Sequence, residues 1–290
     1  MQQIRSVKVM QRWALEMKRN GTTVALVPTM GYLHRGHTSL IQSARRKVGK
    51  AGKVVVSIYV NPTQFGPNED FGAYPRDLKR DLDACRNEGA DVVFLPDDAS
   101  MYPNRETGQF STYVEESTLS RAMEGETRPT HFKGVTTIVC KLFMLTLPDI
   151  ALFGAKDYQQ SAVIRRMTKD LNLPVNIIVA PTVREQDGLA MSSRNAYLSP
   201  EQRSQATVLI QTLKLAKKKV RSTTTQTGIR ANALKKQLER VIQQSSLARL
   251  DYVAFFDPDT LEPLTHIRPG AHMALAVYFG TTRLIDNLRL

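Results

Sequence analysis

Over its first 180 residues the chain alternates short, β-branched apolar runs with stretches of helical period, and few folds accept that rhythm. The runs Val24–Val27, Val54–Val60, Asp91–Leu95, Ile150–Phe153 and Val175–Val179 are apolar at consecutive positions, so both faces of each strand need cover. Between them, Gly134–Leu147 sets Val135, Ile138, Val139, Leu142 and Phe143 on one helical face. Asp157–Leu171 does the same with Ile164, Met167 and Leu171, until Asn172 and Pro174 end it. The pattern predicts an α/β fold, a doubly wound parallel sheet (Rossmann-like) that binds ligands at the carboxyl ends of its strands.

The rhythm changes after residue 183. Ser199-Pro200-Glu201-Gln202 is a helix start, with a Ser cap, Pro at the first position and Gln three residues beyond the cap. That helix is expected to run through Ala206, Leu209, Leu213 and Ala216 to Val220, followed by a polar connection, Ser222–Thr227. A second helix carries Leu234, Leu238 and Val241, and strands follow at Asp251–Phe256 and Met273–Phe279. The expected division is a nucleotide- and substrate-binding domain over 1–183 and a smaller α+β domain over 184–290.

Residues 28–37, Pro-Thr-Met-Gly-Tyr-Leu-His-Arg-Gly-His, join the first of these strands to a helix read over Thr38–Arg46. Backbone N–H groups at a helix start lack partners and the dipole favours anions, which suits a phosphate. His34 and His37 would share one face of the first turn, and Gly31 and Gly36 would let backbone approach a phosphate. Two solvated histidines are the plainer reading of such a pair, but the strand-to-helix position favours a nucleotide-binding turn.

Three more polar clusters follow strands. Asn61–Asp70, shaped by Pro62, Gly66 and Pro67, offers the uncharged amides of Asn61 and Gln64, which recognise hydroxyls and carboxylates. Phe153–Gln160 makes a glycine turn into a helix, with Lys156 as a phosphate-binding charge, Asp157 at the helix start and Gln160 three residues on. Arg184–Asn195 combines Ser192 and Ser193 with Arg194, donors that suit a triphosphate whose charge shifts as pyrophosphate leaves. His131 either approaches this site or is structural, and His266 and His272 receive no role.

Other chemistries lack their signatures. A Gly-x-Ser-x-Gly elbow, a P-loop and a Gly-x-Gly-x-x-Gly turn are all missing. Cys85 and Cys140 have no paired spacing, which suits a reduced, cytoplasmic compartment and argues against structural zinc. No apolar stretch is long enough to span a membrane, and the first residues do not resemble a secretory signal. The net charge of +13 raises nucleic-acid binding, but the basic runs lie on helices beside apolar positions without interleaved aromatics, so a solvated face is expected and no nucleic-acid partner.

Taken together, Pro28–His37, Asn61–Phe65, Tyr74-Pro75-Arg76, His131–Val135, Phe153–Gln160, Arg184–Asn195 and Gly280–Asn287 closely resemble the pantoate–β-alanine ligase family, within the HxGH nucleotidyltransferase group. The similarity runs through nearly the whole chain in order. His34-Arg35-Gly36-His37 and Met191-Ser192-Ser193-Arg194 stand where that group has its HxGH turn and its MSK-like loop. The resemblance implies adenylation of D-pantoate by ATP, with release of pyrophosphate, then attack by β-alanine to give pantothenate and AMP. It implies that Met30, Gly31, Tyr32, Leu33, His34, Arg35, Gly36 and His37 cradle ATP, with His37 as proton donor or phosphate-stabilising imidazole and His34 assisting. It also implies ATP contacts from Gly154, Ala155, Lys156, Asp157, Val183, Met191, Ser192, Ser193 and Arg194, with Lys156 and the Ser-Ser-Arg triplet catalytic. Gln64, Gln160 and Asn61 would hold pantoate, and Mg2+ would accompany ATP, with Asp81 as a metal contact. A homodimer and a C-terminal domain that lids the site complete what the family implies. The family often has an acidic residue where this chain has Ala155. Alternatives are an adenylyltransferase acting on a phosphorylated acceptor and a basic RNA-binding protein on a synthetase-like fold.

Overall fold

A computed structural model describes residues 1–67, 69–223 and 227–290. Asn68 of the expected loop and Thr224, Thr225 and Gln226 of the expected polar connection lie outside the described residues. The chain divides into two units, one of Met1–Ala155 with Gln159–Pro181, the other of Lys156–Tyr158 with Thr182–Leu290.

In the first unit the elements are β1 (Gln2–Ile4), α1 (Val7–Arg19), β2 (Val24–Thr29), α2 (Arg35–Val48), β3 (Lys53–Ile58), α3 (Leu78–Asn87), β4 (Val92–Phe94), α4 (Asp98–Met101), α5 (Glu124–Thr127), α6 (His131–Thr146), β5 (Ile150–Gly154), α7 (Tyr158–Asp170, whose first residue falls in the second unit) and β6 (Asn176–Ala180). The six strands form one parallel sheet in the order β1-β4-β3-β2-β5-β6. The consecutive apolar positions are explained by two cores. Leu26, Val55, Phe94 and Phe153 pack with α6 on one face, and Val27, Val56, Val93 and Leu152 pack with α2 on the other. The chain winds outward from β2 through β3 to β4, then returns to β5 on the opposite side of β2. Strand order therefore reverses between β2 and β5, the place where such sheets hold ligands.

The second unit contains α8 (Pro200–Gln205), α9 (Val208–Ser222), β7 (Ile229–Arg230), α10 (Ala231–Gln243), β8 (Ala248–Phe256), β9 (His266–Ile267), β10 (His272–Phe279) and β11 (Thr282–Arg289). β10 is the centre of an antiparallel β11-β10-β8 sheet. Met273, Leu275, Val277 and Phe279 on one face of β10 bury against Leu209, Leu213, Leu234 and Leu238 of the helices.

Several boundaries differ from expectation. The helix expected from Ser199 through Val220 breaks after Gln205, although Ala206 and Thr207 remain right-handed, so no Gly or Pro betrays the interruption. Its start is as read, since Ser199 and Gln202 form a reciprocal capping box. α6 begins at His131, three residues before the expected Gly134, and α10 buries Ile242 where Val241 was expected. β3 ends at Ile58 and not Val60, because Pro62 opens a short 3₁₀ turn. β1 was missed because two of its three residues are exposed, and β11 because charged and amide residues interrupt its apolar alternation.

Candidate active site

The turn after β2 is built by hydrogen bonds that span the sheet. Thr29 Oγ1 donates to Ser57 C=O (2.7 Å) and accepts from Gly31 N–H (3.3 Å). Gly31 (φ +85°) and Tyr32 (φ +48°) then take left-handed conformations, which turn successive N–H groups inward. The buried Asp81 receives them, with Tyr32 N–H on Oδ2 and Leu33 N–H on Oδ1, both at 2.7 Å. Burial raises the Asp81 pKa, and the two amides offset part of the rise. Both oxygens thus serve the turn.

The helix after this turn starts at Arg35, three residues earlier than read, which makes His34 the cap and places His37 in the first turn. Gly36 N–H donates to His34 Nδ1 (3.1 Å) and His34 N–H donates to His37 Nδ1 (3.3 Å). The two imidazoles form a reciprocal capping box, with ring centroids 4.1 Å apart. Because each Nδ1 accepts from the backbone, the proton of each neutral ring sits on Nε2, the outer nitrogen. The first turn of α2 contains no acidic residue, so its dipole is unopposed.

After β3, the 3₁₀ turn Pro62–Gln64 presents the two expected amides, both buried. Asn61 Nδ2 donates to Gln64 Oε1 (3.1 Å) and to Gly134 C=O (3.1 Å), while Asn61 Oδ1 accepts from Tyr102 (2.7 Å) and Thr63 (3.0 Å) hydroxyls. Gln64 Nε2 reaches Met30 Sδ at 3.0 Å, which joins this turn to the one after β2. α6 lies directly against the turn: a Cβ on Gly134 would sit 2.4 Å from Thr63 C=O and 2.6 Å from Gln64 Cα.

His131 holds the same turn from behind. Arg128 can only donate, so His131 Nε2 accepts from it (3.2 Å) and Nδ1–H donates to Gln64 C=O (2.9 Å). Arg128 also donates to Gln64 C=O (3.2 Å) and grips the Glu69 carboxylate through Nε at 3.0 and 2.9 Å. Burial, then the Arg128 charge, pushes the His131 pKa down to about 4. His131 is therefore a neutral support for Gln64.

Gly154 and Ala155 close the carboxyl end of β5. Gln160 is half-buried on α7, while its neighbour Gln159 is buried and holds the preceding loop, accepting from Glu124 N–H and donating to Leu119 and Ala122 C=O.

In the second unit, Lys156 pairs with Asp157 at 3.4 Å, and its own C=O accepts from Asn287 Nδ2 (2.7 Å). The loop over 183–195 is a strapped hairpin: Met191 N–H donates to Val183 C=O (3.0 Å) and Glu185 N–H to Leu189 C=O (2.8 Å). Arg203 bridges Glu185 and Asp187, each at 2.7 Å, and Arg184 donates to both oxygens of the buried Asp286. Ser192 caps the 3₁₀ turn Ser193–Tyr197 by accepting from Arg194 N–H (3.2 Å), and Ser193 is buried. The expected residues thus fall into two sets. Met30–His37, Asn61, Gln64, Gly154, Ala155 and Gln160 belong to the first unit; Lys156, Asp157, Val183 and Met191–Arg194 belong to the second. Arg128, His131, Gly134 and Asn287 support them through contacts far apart in sequence. For Asn287 the only sequence signal was its place in the Gly280–Asn287 stretch.

Among the described residues no group of three or more His, Cys, Asp or Glu could hold a metal, and no helix is long and apolar enough to cross a membrane. Residues 2–289 match the family model described as Pantoate-beta-alanine ligase. A pantothenate synthetase of Thermoanaerobacter sp. (strain X514) is 51% identical over 274 residues, 94% of this chain and 93% of the relative. Another from Moorella thermoacetica is 46% identical over 290 residues, 100% of this chain and 99% of its own. The crystal structure of a pantothenate synthetase from Thermus thermophilus is similar with a TM-score of 0.87 at 43% identity, covering 100% of this chain and 99% of that one. That of a pantoate-beta-alanine ligase from Francisella tularensis, complexed with beta-gamma ATP and beta-alanine, has a TM-score of 0.78 at 31% identity, covering 100% and 97%.

Proposed function

This chain belongs to the pantoate-beta-alanine ligase family, and from that premise we propose which of its residues carry each step. The reaction is the ATP-dependent condensation of D-pantoate with β-alanine through a pantoyl adenylate. In the first step a pantoate carboxylate oxygen bonds to the α-phosphorus and the bond to pyrophosphate breaks. In the second, the β-alanine amine attacks the acyl carbon, AMP leaves and the amine loses a proton.

The α2 start takes the phosphates. Gly31 and Gly36 let backbone approach, and the outer nitrogens of His34 and His37 donate to phosphate oxygens as charge shifts. Lys156, Ser192, Ser193 and Arg194 neutralise the departing pyrophosphate, while Val183 and Met191 border the base. Asn61, Gln64 and Gln160 hold pantoate by hydroxyl and carboxylate, aligning its oxygen with phosphorus. Magnesium would accompany ATP as a counter-charge to its phosphates. The family reading also carries a cytoplasmic homodimer, with residues 184–290 as the part that closes over the intermediate and keeps water from it.

The reciprocal histidine cap carries this assignment, because it sets two imidazoles 4.1 Å apart at the positive end of the helix dipole, with both Nδ1 atoms turned to the backbone. Exchange between ATP and pyrophosphate, measured with and without pantoate, tests it. His37→Ala and Lys156→Ala should each slow pantoate-dependent exchange by ~10²-fold or more. Near-normal exchange in both would remove these residues from the chemistry.

A further inference from the structure

His272 lies at the start of β10, directly opposite Phe256 of β8 and diagonal to Asn287 of β11. Strand alternation puts all three on the face away from the helix-packed core of Met273 and Leu275. The segment Lys156–Tyr158 belongs to this unit, and the row of three holds it at both ends. At one end Asn287 Nδ2 donates to Lys156 C=O (2.7 Å). At the other, the Tyr158 ring stacks on His272 with centroids 3.8 Å apart and planes 22° apart, and its hydroxyl donates to Pro258 C=O (2.8 Å).

The hydrogen bonds leave one consistent set of orientations. Lys156 C=O can only accept, so the Asn287 amide nitrogen must face it and Oδ1 must face His272. His272 Nε2, 2.9 Å from that oxygen, must therefore carry the proton. Its Nδ1 is buried with no partner among the described residues, so a second proton there would lie in a site with no acceptor among them. Burial lowers the His272 pKa accordingly. The chain His272 Nε2–H to Asn287 Oδ1, then Asn287 Nδ2–H to Lys156 C=O, runs in one direction only.

We infer that His272 and Asn287 are positioning residues for Lys156, fixing its backbone so that its ammonium meets the pyrophosphate as it leaves. Neither side chain touches substrate; they act through the lysine. This inference rests on the phosphate role given to Lys156 above.

The test separates the half-reactions. Asn287→Asp preserves shape and the bond from His272 but turns a carboxylate oxygen toward Lys156 C=O. The expected result is a fall of 10- to 100-fold in the rate of ATP–pyrophosphate exchange. The pantoate KM, and the rate at which β-alanine consumes preformed pantoyl adenylate, should both stay within about 2-fold. His272→Leu should repeat the loss, and His272→Gln, which can still donate to Asn287, should recover most of it. If Asn287→Asp does not fold, the Leu and Gln pair carries the test. Combination with Lys156→Ala decides between readings. If the Asn287→Asp penalty disappears once the lysine is gone, the positioning role holds; if the two penalties multiply, or if both half-reactions slow together, it is overturned. If Lys156→Ala itself exchanges normally, the lysine's phosphate role has failed instead.

Discussion

His131 is the group through which mild acid is expected to weaken the six-stranded unit, and its surroundings set the size of the effect. Its pKa falls from 6.5 to about 4 because the buried ring would have to take a proton beside Arg128. Between these values the unfolded chain binds a proton that the folded one refuses, so stability is full above pH 6.5 and drains away as pH falls toward 4. A shift of ~2.5 units at 1.36 kcal/mol each comes to ~3 kcal/mol. With a urea slope of ~3 kcal/mol per M, the midpoint should move by ~1 M. Trp13 is the single tryptophan and packs against the core that includes α6, so its fluorescence reports on this unit. His131→Asn still places an amide donor near Gln64 C=O but cannot titrate. Between pH 7 and pH 4, the wild-type chain should lose ~3 kcal/mol more than the variant, the carboxylate contributions cancelling in the comparison. Equal losses in the two proteins would refute the account.

Gly134→Ala forces a methyl into the Thr63 and Gln64 backbone, so urea unfolding should show a loss of ~1–3 kcal/mol and kinetics a raised pantoate KM. Asp81→Asn swaps one acceptor for an NH₂ facing the Tyr32 or Leu33 N–H, and should cost ~1–3 kcal/mol and raise the ATP KM, read by denaturation and exchange assays. Tyr102→Phe removes a 2.7 Å bond to the buried Asn61 Oδ1, for an expected loss of ~1 kcal/mol in the same melt.

The central strands were legible because burial on both faces writes itself as uninterrupted Val, Ile and Leu, as in Val54-Val55-Val56. β1 could not be read so, since its identity comes from pairing with β4 some ninety residues away. The same contrast holds within the candidate site. The glycine turn and the histidine pair were visible because their geometry is local, three residues within one helical turn. The long-range contacts that support the site's turns were not, even where the residue itself, as with Asp81 and His131, was singled out. Asp81 is 48 residues from Leu33, His131 is 67 from Gln64 and Asn287 is 131 from Lys156, distances over which a single sequence carries no periodic signal. Helix limits fell between these cases. The Ser199 box announced a start, whereas nothing at Ala206 announced a break.

The interlocked start of α2 has a consequence for how mutations there are interpreted. Each imidazole fastens the chain and, under the assignment proposed above, is also a reagent, so truncating either to alanine confounds a frayed helix with a missing proton donor. Asparagine, whose Oδ1 can replace Nδ1 as the acceptor, would keep the fastener and delete only the reagent. The gap between the alanine and asparagine rates at His37 is then a direct reading of what architecture, apart from acidity, contributes to catalysis.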